Sequence, residues 1–211
     1  MARLRRLAFV VLALAVVAPA SAGPRDPNER HTKAGQAIAR SAVLRLSDFQ
    51  RGWKPASHPP RPIRCRGYDP DLSRLTRTGR ARSEFSFSNR AVVQSFVSVY
   101  LDSGQAATAF RAGTKSGFLT CAAAIFVQGF ARSGTRARVI GKRITPGPPL
   151  GIRNRSFRLA FRVTTHGHTV PYEYDVILFQ VDKAIGGVSF EGVGGPFRGE
   201  HGAARRVASR L

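Results

Sequence analysis

Cysteine, acidic residues and long apolar runs are all scarce in this chain of 211 residues, and each scarcity excludes a class of protein. The longest apolar run, residues 7–18, has twelve residues, whereas a transmembrane helix needs ~20. Only twelve Asp and Glu residues accompany 34 Lys and Arg, and their spacing singles out no acid–base pair. No repeat and no linker between two domains is present. The sequence therefore predicts one domain without a transmembrane segment.

Catalytic and cofactor-binding motifs are also missing. The nearest approach to a G-x-S-x-G nucleophile elbow, residues 187–191, lacks the second glycine. There is no G-x-G-x-x-G and no Walker lysine. His166 and His168 have a spacing used in metal sites, but the sequence offers no third ligand, and the glycine between them marks a hairpin tip. We therefore expect a noncatalytic protein with no cofactor and no metal; a catalytic triad defined by geometry alone is the alternative.

The N-terminus has the pattern of a secretory signal peptide. Residues 1–6 are cationic, the apolar run follows, and Ala20-Ser21-Ala22 is an A-x-A cleavage site. No cysteine lies near this site, which excludes a lipoprotein signal. We predict cleavage after Ala22 and a secreted protein, either extracellular or associated with the cell envelope. Residues 23–36 are then predicted as a flexible leader and residues 37–211 as a single domain.

Cys65 and Cys121 are the two cysteines, and both belong to the part of the chain that we expect to be exported. Export makes oxidation the default, so we expect one disulfide bond between them; two buried free thiols are the alternative. The bond would close a loop of about 57 residues, which in the chain-entropy model contributes roughly 4 kcal/mol of stability.

The charge is strongly positive, +22 over the whole sequence and +19 after removal of residues 1–22. Such a charge attracts nucleic acid, anionic lipid and acidic wall polymers without specificity at low salt. The basic residues of the whole sequence are 29 Arg and 5 Lys, and after residue 22 the arginines extend from Arg25 to Arg210. A general arginine bias of the genome explains this distribution as well as a binding function does. We expect no specific nucleic-acid binding.

Periodicity predicts an α+β fold, an antiparallel sheet of about six strands with helices packed on its faces. One predicted strand, residues 91–101, is apolar on both sides, which is typical of a central strand. Val93, Val97, Val99 and Leu101 share one of these sides. The predicted strands are residues 83–87, 91–101, 138–144, 156–163, 170–181 and 185–192. The predicted helices are residues 31–45, 102–110, 116–131 and 199–210, with a short helical turn within residues 44–53.

Two of the later strands are predicted to pair around a turn at Gly167. This register places Arg158 and Arg162 on one face. Glu173 and Asp175 lie across from them, so the charges of the two strands are complementary. The opposite face must then be dry. Its side chains are Phe157, Leu159 and Phe161 on the first strand and Tyr172, Tyr174 and Val176 on the second.

Two regions are candidates for ligand binding. Phe96 and Tyr100, on the second side of their strand, are placed to line a groove beneath the helices; a helix that simply covers them is the alternative. The glycine-rich segment 192–196 lies between a strand and a helix, where backbone N–H groups can hold an anion, although a plain connection is the better interpretation. The residues of this weak anion site are Gly194, Gly195, Arg198, Arg205 and Arg206.

Five segments between residues 37 and 211 carry a resemblance to a known group of proteins. They are Leu44-Arg-Leu-Ser-Asp-Phe-Gln-Arg-Gly-Trp53, Cys65-Arg-Gly-Tyr-Asp-Pro-Asp-Leu72, Ala91-Val-Val-Gln-Ser-Phe-Val-Ser-Val-Tyr100, Ala106-Ala-Thr-Ala-Phe110 and Cys121. They resemble exported actinobacterial proteins, a group that includes lipoproteins and extracellular sensor domains of kinases. The resemblance implies a PsbP-like sandwich and a binding or accessory module, and it brings no catalytic residues. The chain departs from the group in lacking a lipobox cysteine and in having one cysteine pair where the kinase sensor domains usually have two.

The leading hypothesis is a secreted, monomeric, noncatalytic module that binds an envelope-associated ligand or partner. A hydrolase acting on envelope material is the first alternative. A cationic protein that coats polyanions or membrane surfaces is the second.

Overall fold

The computed structural model describes residues 25–58, 63–88, 90–151, 153–194 and 199–211. The signal peptide predicted for residues 1–22 lies outside these ranges, as do Gly195 and Arg198 of the weak anion site. No helix within these ranges is both long enough and apolar enough to span a membrane.

The fold is α+β, with a mixed sheet of eight strands. The strands are β1 (Asn28–Glu29), β2 (Trp53–Pro55), β3 (Thr76–Phe87), β4 (Ala91–Tyr100), β5 (Arg136–Thr145), β6 (Arg153–Thr165), β7 (His168–Val181) and β8 (Ala184–Val193). Their order across the sheet is β1-β3-β4-β8-β7-β6-β5, and β2 pairs with β3. Neighbouring strands are antiparallel except for β1 and β3, which run parallel.

Four helices pack on the sheet, at the positions that periodicity predicts. They are α1 (Lys33–Ala42), α2 (Ser103–Gly113), α3 (Gly117–Arg132) and α4 (Glu200–Ala208), with a single 3₁₀ turn at Leu46–Asp48. Two of them begin at polar caps: the side chain of Thr32 accepts a hydrogen bond from the Gly35 amide, and that of Asp102 accepts one from the Gln105 amide. Each cap satisfies an amide that the first turn of the helix leaves free.

The expected antiparallel sheet of about six strands is corrected in two respects. Two further strands, β1 and β2, belong to the sheet, and the parallel pairing of β1 makes the sheet mixed. These strands are two and three residues long, which is too short for a period-two pattern to reveal them. β1 lies within residues 23–36, the segment predicted as a flexible leader. The six long strands lie at the predicted positions, except that β3 begins earlier than predicted, at Thr76. The periodicity did not reveal the first half of β3, because this half is polar and contains Gly79.

Helices α1 and α4 cover one face of the sheet, which we call the α1–α4 face. Helix α1 packs on β3 and β4, and α4 packs on β7 and β8. Backbone contact between Gly35 and Gly79 lets α1 approach β3 closely: a Cβ atom on Gly79 would lie 2.1 Å from the backbone oxygen of Gly35. The core on this face includes Leu44, Val93, Val97, Val99, Ile177, Phe179, Val188 and Val207.

Helices α2 and α3 cover the opposite, α2–α3 face. The predicted disulfide bond between Cys65 and Cys121 is confirmed, with the two Cα atoms 5.7 Å apart. It joins α3 to the loop that precedes β3, and Tyr68 of this loop donates a hydrogen bond from its hydroxyl to the Gly113 carbonyl. Burial of that hydroxyl raises the pKa of Tyr68 to about 12. The loop is therefore held against the helices by a covalent bond and by a buried hydrogen bond.

The register predicted for β6 and β7 is confirmed. The opposed pairs are Phe157 and Val176, Leu159 and Tyr174, and Phe161 and Tyr172. All six side chains belong to the apolar cluster beneath α2 and α3. The two-residue turn at His166 and Gly167 has positive φ at both positions, as a hairpin of this hand requires. Strand β4 is central, as predicted, but Leu101 lies just beyond its end and is exposed, which corrects its assignment to the apolar side.

Candidate functional site

A cavity of about 310 Å³ opens where the first turn of α4 meets the sheet. We call it the carboxyl cavity, because two carboxyl groups, those of Asp175 and Glu200, lie in its wall. Its other lining residues come from β5, from the loop that follows it and from β6, β7 and α4: Arg143, Thr145, Pro146, Ser156, Phe157, Arg158, Val176, Ile177 and His201. Its volume lies at the lower end of the range for small-molecule sites, roughly 300–1,000 Å³.

Arg158 and Asp175 form the rigid base of the cavity. The two residues lie directly opposite each other on β6 and β7. The Arg158 guanidinium donates two hydrogen bonds to the Asp175 carboxylate, from Nε to Oδ1 at 2.6 Å and from Nη2 to Oδ2 at 3.1 Å. A bidentate ion pair of this kind fixes the orientation of both side chains. The hydrogen bonds to Asp175 also raise the pKa of Arg158. Arg162, the other arginine expected to face an acid, lies opposite Pro171 instead.

Glu200, the first residue of α4, is the unusual group in the cavity. Its side chain is 90% removed from solvent. Burial raises its pKa to about 8, assisted by the negative charge of Asp175 and by a hydrogen bond between the two carboxyl groups, and Arg158 offsets this only in part. A carboxylate at a helix N-terminus is ordinarily stabilised in its charged form by the helix dipole. Here the cost of burying the charge is larger, and Glu200 carries a proton at neutral pH.

Three buried oxygen atoms have no hydrogen-bond partner among the described residues: Ser156 Oγ, Glu173 Oε2 and Glu200 Oε1. Ser156 and Glu200 line the carboxyl cavity, and Glu173 lies near it, within 4.0 Å of the Arg158 guanidinium group. The nearest cation to either glutamate is Arg158, at 3.6 Å from Glu200 and 4.0 Å from Glu173, beyond hydrogen-bond length. Burial also raises the pKa of Glu173, against the pull of Arg158. Buried polar atoms are nearly always hydrogen-bonded, so a group of three without partners indicates a place for water or a ligand.

The aromatic pair proposed for a groove lies in the core beneath α2 and α3. Tyr100 is buried, and Phe96 is half-buried with its ring against Gly187. Phe96 packs over this glycine so closely that a Cβ atom there would lie 2.3 Å from the ring. Both residues thus lie on the α2–α3 face of the sheet. The charged groups of the carboxyl cavity lie on the α1–α4 face. A ligand groove at Phe96 and Tyr100 stays a prediction.

The weak anion site is represented by three described residues. The Gly194 amide donates to the carbonyl of Pro171 at 3.3 Å, so this N–H is already engaged. Arg205 and Arg206 are exposed and lie in the last turn of α4, away from the helix N-terminus that would hold an anion. An anion site at these residues stays a prediction.

The carboxyl cavity could not be predicted from the sequence, for a physical reason. Asp175 and Glu173 were placed across from arginine, which indicates a surface ion pair, and nothing in the local pattern shows that α4 lies over them. Glu200 is the one acidic residue of a helix that otherwise carries arginines, at its first position. Such a residue normally marks a favourable helix start, so the sequence gives no hint that it is buried.

The described residues contain no group of three or more His, Cys, Asp or Glu side chains arranged to hold a metal ion. No protein-family model, no curated protein and no solved structure matches this chain significantly. The chemistry of the carboxyl cavity is therefore argued from its geometry.

Proposed function

We propose that the protein is an exported, noncatalytic binding module and that the carboxyl cavity is its ligand site. The observation that supports this most directly is Glu200, a buried carboxyl group in the cavity wall with one oxygen that has no hydrogen-bond partner among the described residues. A protein that leaves a buried oxygen unsatisfied loses about 1–3 kcal/mol of stability. A ligand that supplies the missing hydrogen bond recovers that free energy on binding.

The unsatisfied atoms define the chemistry of the ligand. The carboxyl oxygen of Glu200 and the hydroxyl oxygen of Ser156 can each accept a hydrogen bond, so a ligand that donates hydrogen bonds satisfies both atoms. An ammonium group fits better than a hydroxyl. Its positive charge would favour the ionised form of Glu200, and the resulting ion pair would form out of water, where charge-assisted hydrogen bonds are strong. We therefore assign to the cavity a small molecule that carries a primary amine together with further hydrogen-bond donors.

A matched pair of probes tests this assignment. 4-Amino-1-butanol and 1,4-butanediol differ only in one ammonium group, and both are small enough for the cavity. We expect the amine to bind the wild-type protein at least about tenfold more tightly, equivalent to ~1.4 kcal/mol, when binding is followed by NMR chemical shifts at pH 7. In Glu200→Gln the two probes should bind alike, because the ionisable group is gone.

The control variant is Asp182→Asn, which removes an exposed carboxylate at a turn with positive φ. Asn tolerates that conformation, so this variant should keep the preference for the amine. Equal binding of both probes by the wild-type protein, or no binding of either, would show that the cavity is not an amine site.

A hydrolase acting on envelope material is the second candidate, and one feature of the site favours it. A protonated carboxyl group beside a carboxylate is an arrangement that many hydrolases use for acid–base catalysis. In glycosidases, however, the two groups are about 5–9.5 Å apart, to leave room for the sugar or for water. Glu200 and Asp175 are in hydrogen-bond contact, and Arg158 occupies both oxygens of Asp175. Release of reducing sugar from cell-wall glycan by the wild-type protein but not by Glu200→Gln would favour the hydrolase.

The proposal extends to location, fold family and oligomeric state. The confirmed disulfide bond suits an oxidising compartment, and the sheet between two helical layers suits the proposed PsbP-like likeness. Few large apolar side chains are exposed in the described part of the chain, namely Leu46, Phe87, Leu101, Ile140 and Ile144, which suits a monomer. Mass spectrometry of exported protein beginning at Gly23, together with light scattering of the purified domain, tests export and the monomeric state.

A further inference from the structure

A second feature, which borders the carboxyl cavity at Arg143, lies on β5 and β6. From residue 103 to residue 172 the sequence contains no Asp or Glu, while it contains eleven Lys and Arg. An arginine bias of the genome would raise the number of arginines along the whole chain, but it would not clear acidic residues from seventy consecutive positions. This segment includes the edge strand β5 and its neighbour β6.

The two strands bring these arginines together on the α1–α4 face. Arg138 on β5 lies directly opposite Arg162 on β6, and Arg136 lies opposite Thr164. Farther along, Arg143 lies opposite Arg158. Helices α1 and α4 pack on β3, β4, β7 and β8. Four of the five arginines just named have exposed side chains. We call these four the arginine strip: Arg136, Arg138, Arg143 and Arg162.

The strip is electrostatically unfavourable as it stands. Residues directly opposite on antiparallel strands have Cβ atoms about 4.5–5.5 Å apart, and like charges at that distance destabilise the pair. None of the four arginines forms an ion pair with a carboxylate in the described part of the chain. Some arginines elsewhere in the fold form ion pairs: Arg77 with Glu29, Arg82 with Glu84, and Arg210 with Asp48.

We propose that the arginine strip binds a linear, phosphate-bearing polymer laid across the edge of the sheet. The planar guanidinium group donates two parallel hydrogen bonds to a phosphate, and a row of such groups matches a chain of regularly spaced anions. This inference goes beyond the proposed function, because Arg138 and Arg162 do not line the carboxyl cavity.

The composition of the strip favours a polymer without bases over nucleic acid. Proteins that bind single-stranded nucleic acid place aromatic side chains where bases can stack on them. The residues of β5 and β6 that point to this face include no aromatic side chain. Besides the arginines they are small or polar, such as Thr164 opposite Arg136 and Ala160 opposite Gly141. The aromatic side chains of β6, Phe157 and Phe161, are buried on the other face. The polymer is therefore of the polyol-phosphate type.

The test compares two double variants that lower the net charge by the same amount. Arg138→Gln/Arg162→Gln removes the opposed pair of the strip. Arg40→Gln/Arg51→Gln removes two exposed arginines from α1 and from the turn before β2. Binding of poly(glycerol phosphate) is measured at 0.15 M salt, where the Debye length is about 8 Å and diffuse attraction is largely screened. We expect at least a tenfold loss of affinity for the strip variant and less than a threefold loss for the control.

A second probe and a second readout make the outcomes distinct. A single-stranded oligodeoxynucleotide with the same number of phosphates should bind no more tightly than poly(glycerol phosphate), and the strip variant should keep its affinity for 4-amino-1-butanol and its thermal stability. Equal losses in the two double variants, or no binding of the wild-type protein at 0.15 M salt, would mean that only net charge acts. Tighter binding of the oligonucleotide would replace the polyol phosphate with nucleic acid.

Discussion

The carboxyl group of Glu200 lies against that of Asp175, and burial beside this second acid raises the pKa of Glu200 to about 8. The two acids differ in how Arg158 contacts them. Asp175 is held by two hydrogen bonds from Arg158, whereas the same guanidinium group approaches Glu200 to only 3.6 Å. One arginine thus satisfies one acid and leaves the other protonated in a cavity open to solvent.

This pair predicts the pH dependence of stability. Between pH 4.5, the ordinary pKa of Glu, and about 8, the folded protein keeps a proton on Glu200 that the unfolded chain has lost. The free energy of unfolding therefore falls as pH rises through this window. The limiting slope for one group is ~1.4 kcal/mol per pH unit. The slope for Glu200 is smaller, because solvent in the cavity screens its charge. Above pH 8 both states are ionised and the loss is complete.

Urea unfolding of the wild type and Glu200→Gln from pH 5 to pH 9 measures this effect. The variant cannot ionise at this position, so its stability relative to wild type should increase with pH and level off above about pH 8. Asp182→Asn serves as the control and should follow the wild type. A Glu200→Gln variant whose relative stability does not change with pH would show that Glu200 is ionised throughout.

The disulfide bond predicts a second effect on stability. Cys65→Ala/Cys121→Ala removes the covalent link between α3 and the loop before β3. Because the bond closes a loop of about 57 residues, we expect the free energy of unfolding to fall by about 2–4 kcal/mol. Chemical denaturation of the double variant beside the oxidised wild type measures this. Stability equal to that of the wild type would contradict the structural role of the bond.

The contact between Gly35 and Gly79 predicts a third effect. In Gly79→Ala the new Cβ atom would lie 2.1 Å from the Gly35 carbonyl oxygen, so α1 must move off β3, at a cost of about 1–3 kcal/mol or more. Gly141→Ala is a matched control, since it is also a strand glycine and its Cβ would meet only Ala160, at an ordinary 3.5 Å. Thermal unfolding should show a clear loss for the first variant and little change for the second.

The parts of the fold that were predictable from sequence are those in which one face of an element is apolar. The paired parts of β6 and β7 nearest their turn, residues 156–163 and 170–176, largely alternate between apolar and polar residues, so their register and their buried face followed from periodicity. β1 and β2 are too short to show a period. The first half of β3 is polar, and its contact with α1 is made through Gly79 and Gly35; a glycine contributes no hydrophobic pattern.

The candidate site was predictable only in part, because it depends on a contact between distant elements. The opposition of Arg158 and Asp175 follows from the strand register. The position of Glu200 depends on how α4 lies on β7 and β8, which no local pattern specifies. The arginine strip had a signal in the sequence, the absence of acidic residues between positions 103 and 172. The number and spread of the arginines do not by themselves reveal it.

The measurement that tests the central proposal most directly is the number of protons released when an amine binds to the carboxyl cavity. Calorimetric titration of 4-amino-1-butanol at pH 7, in two buffers of different ionisation enthalpy, gives this number. The account predicts release of nearly one proton per bound amine, because Glu200 is protonated in the free protein and ionises against the ammonium group. It predicts no release from Glu200→Gln. Binding without proton release, or the same release from the wild type and the variant, would contradict it.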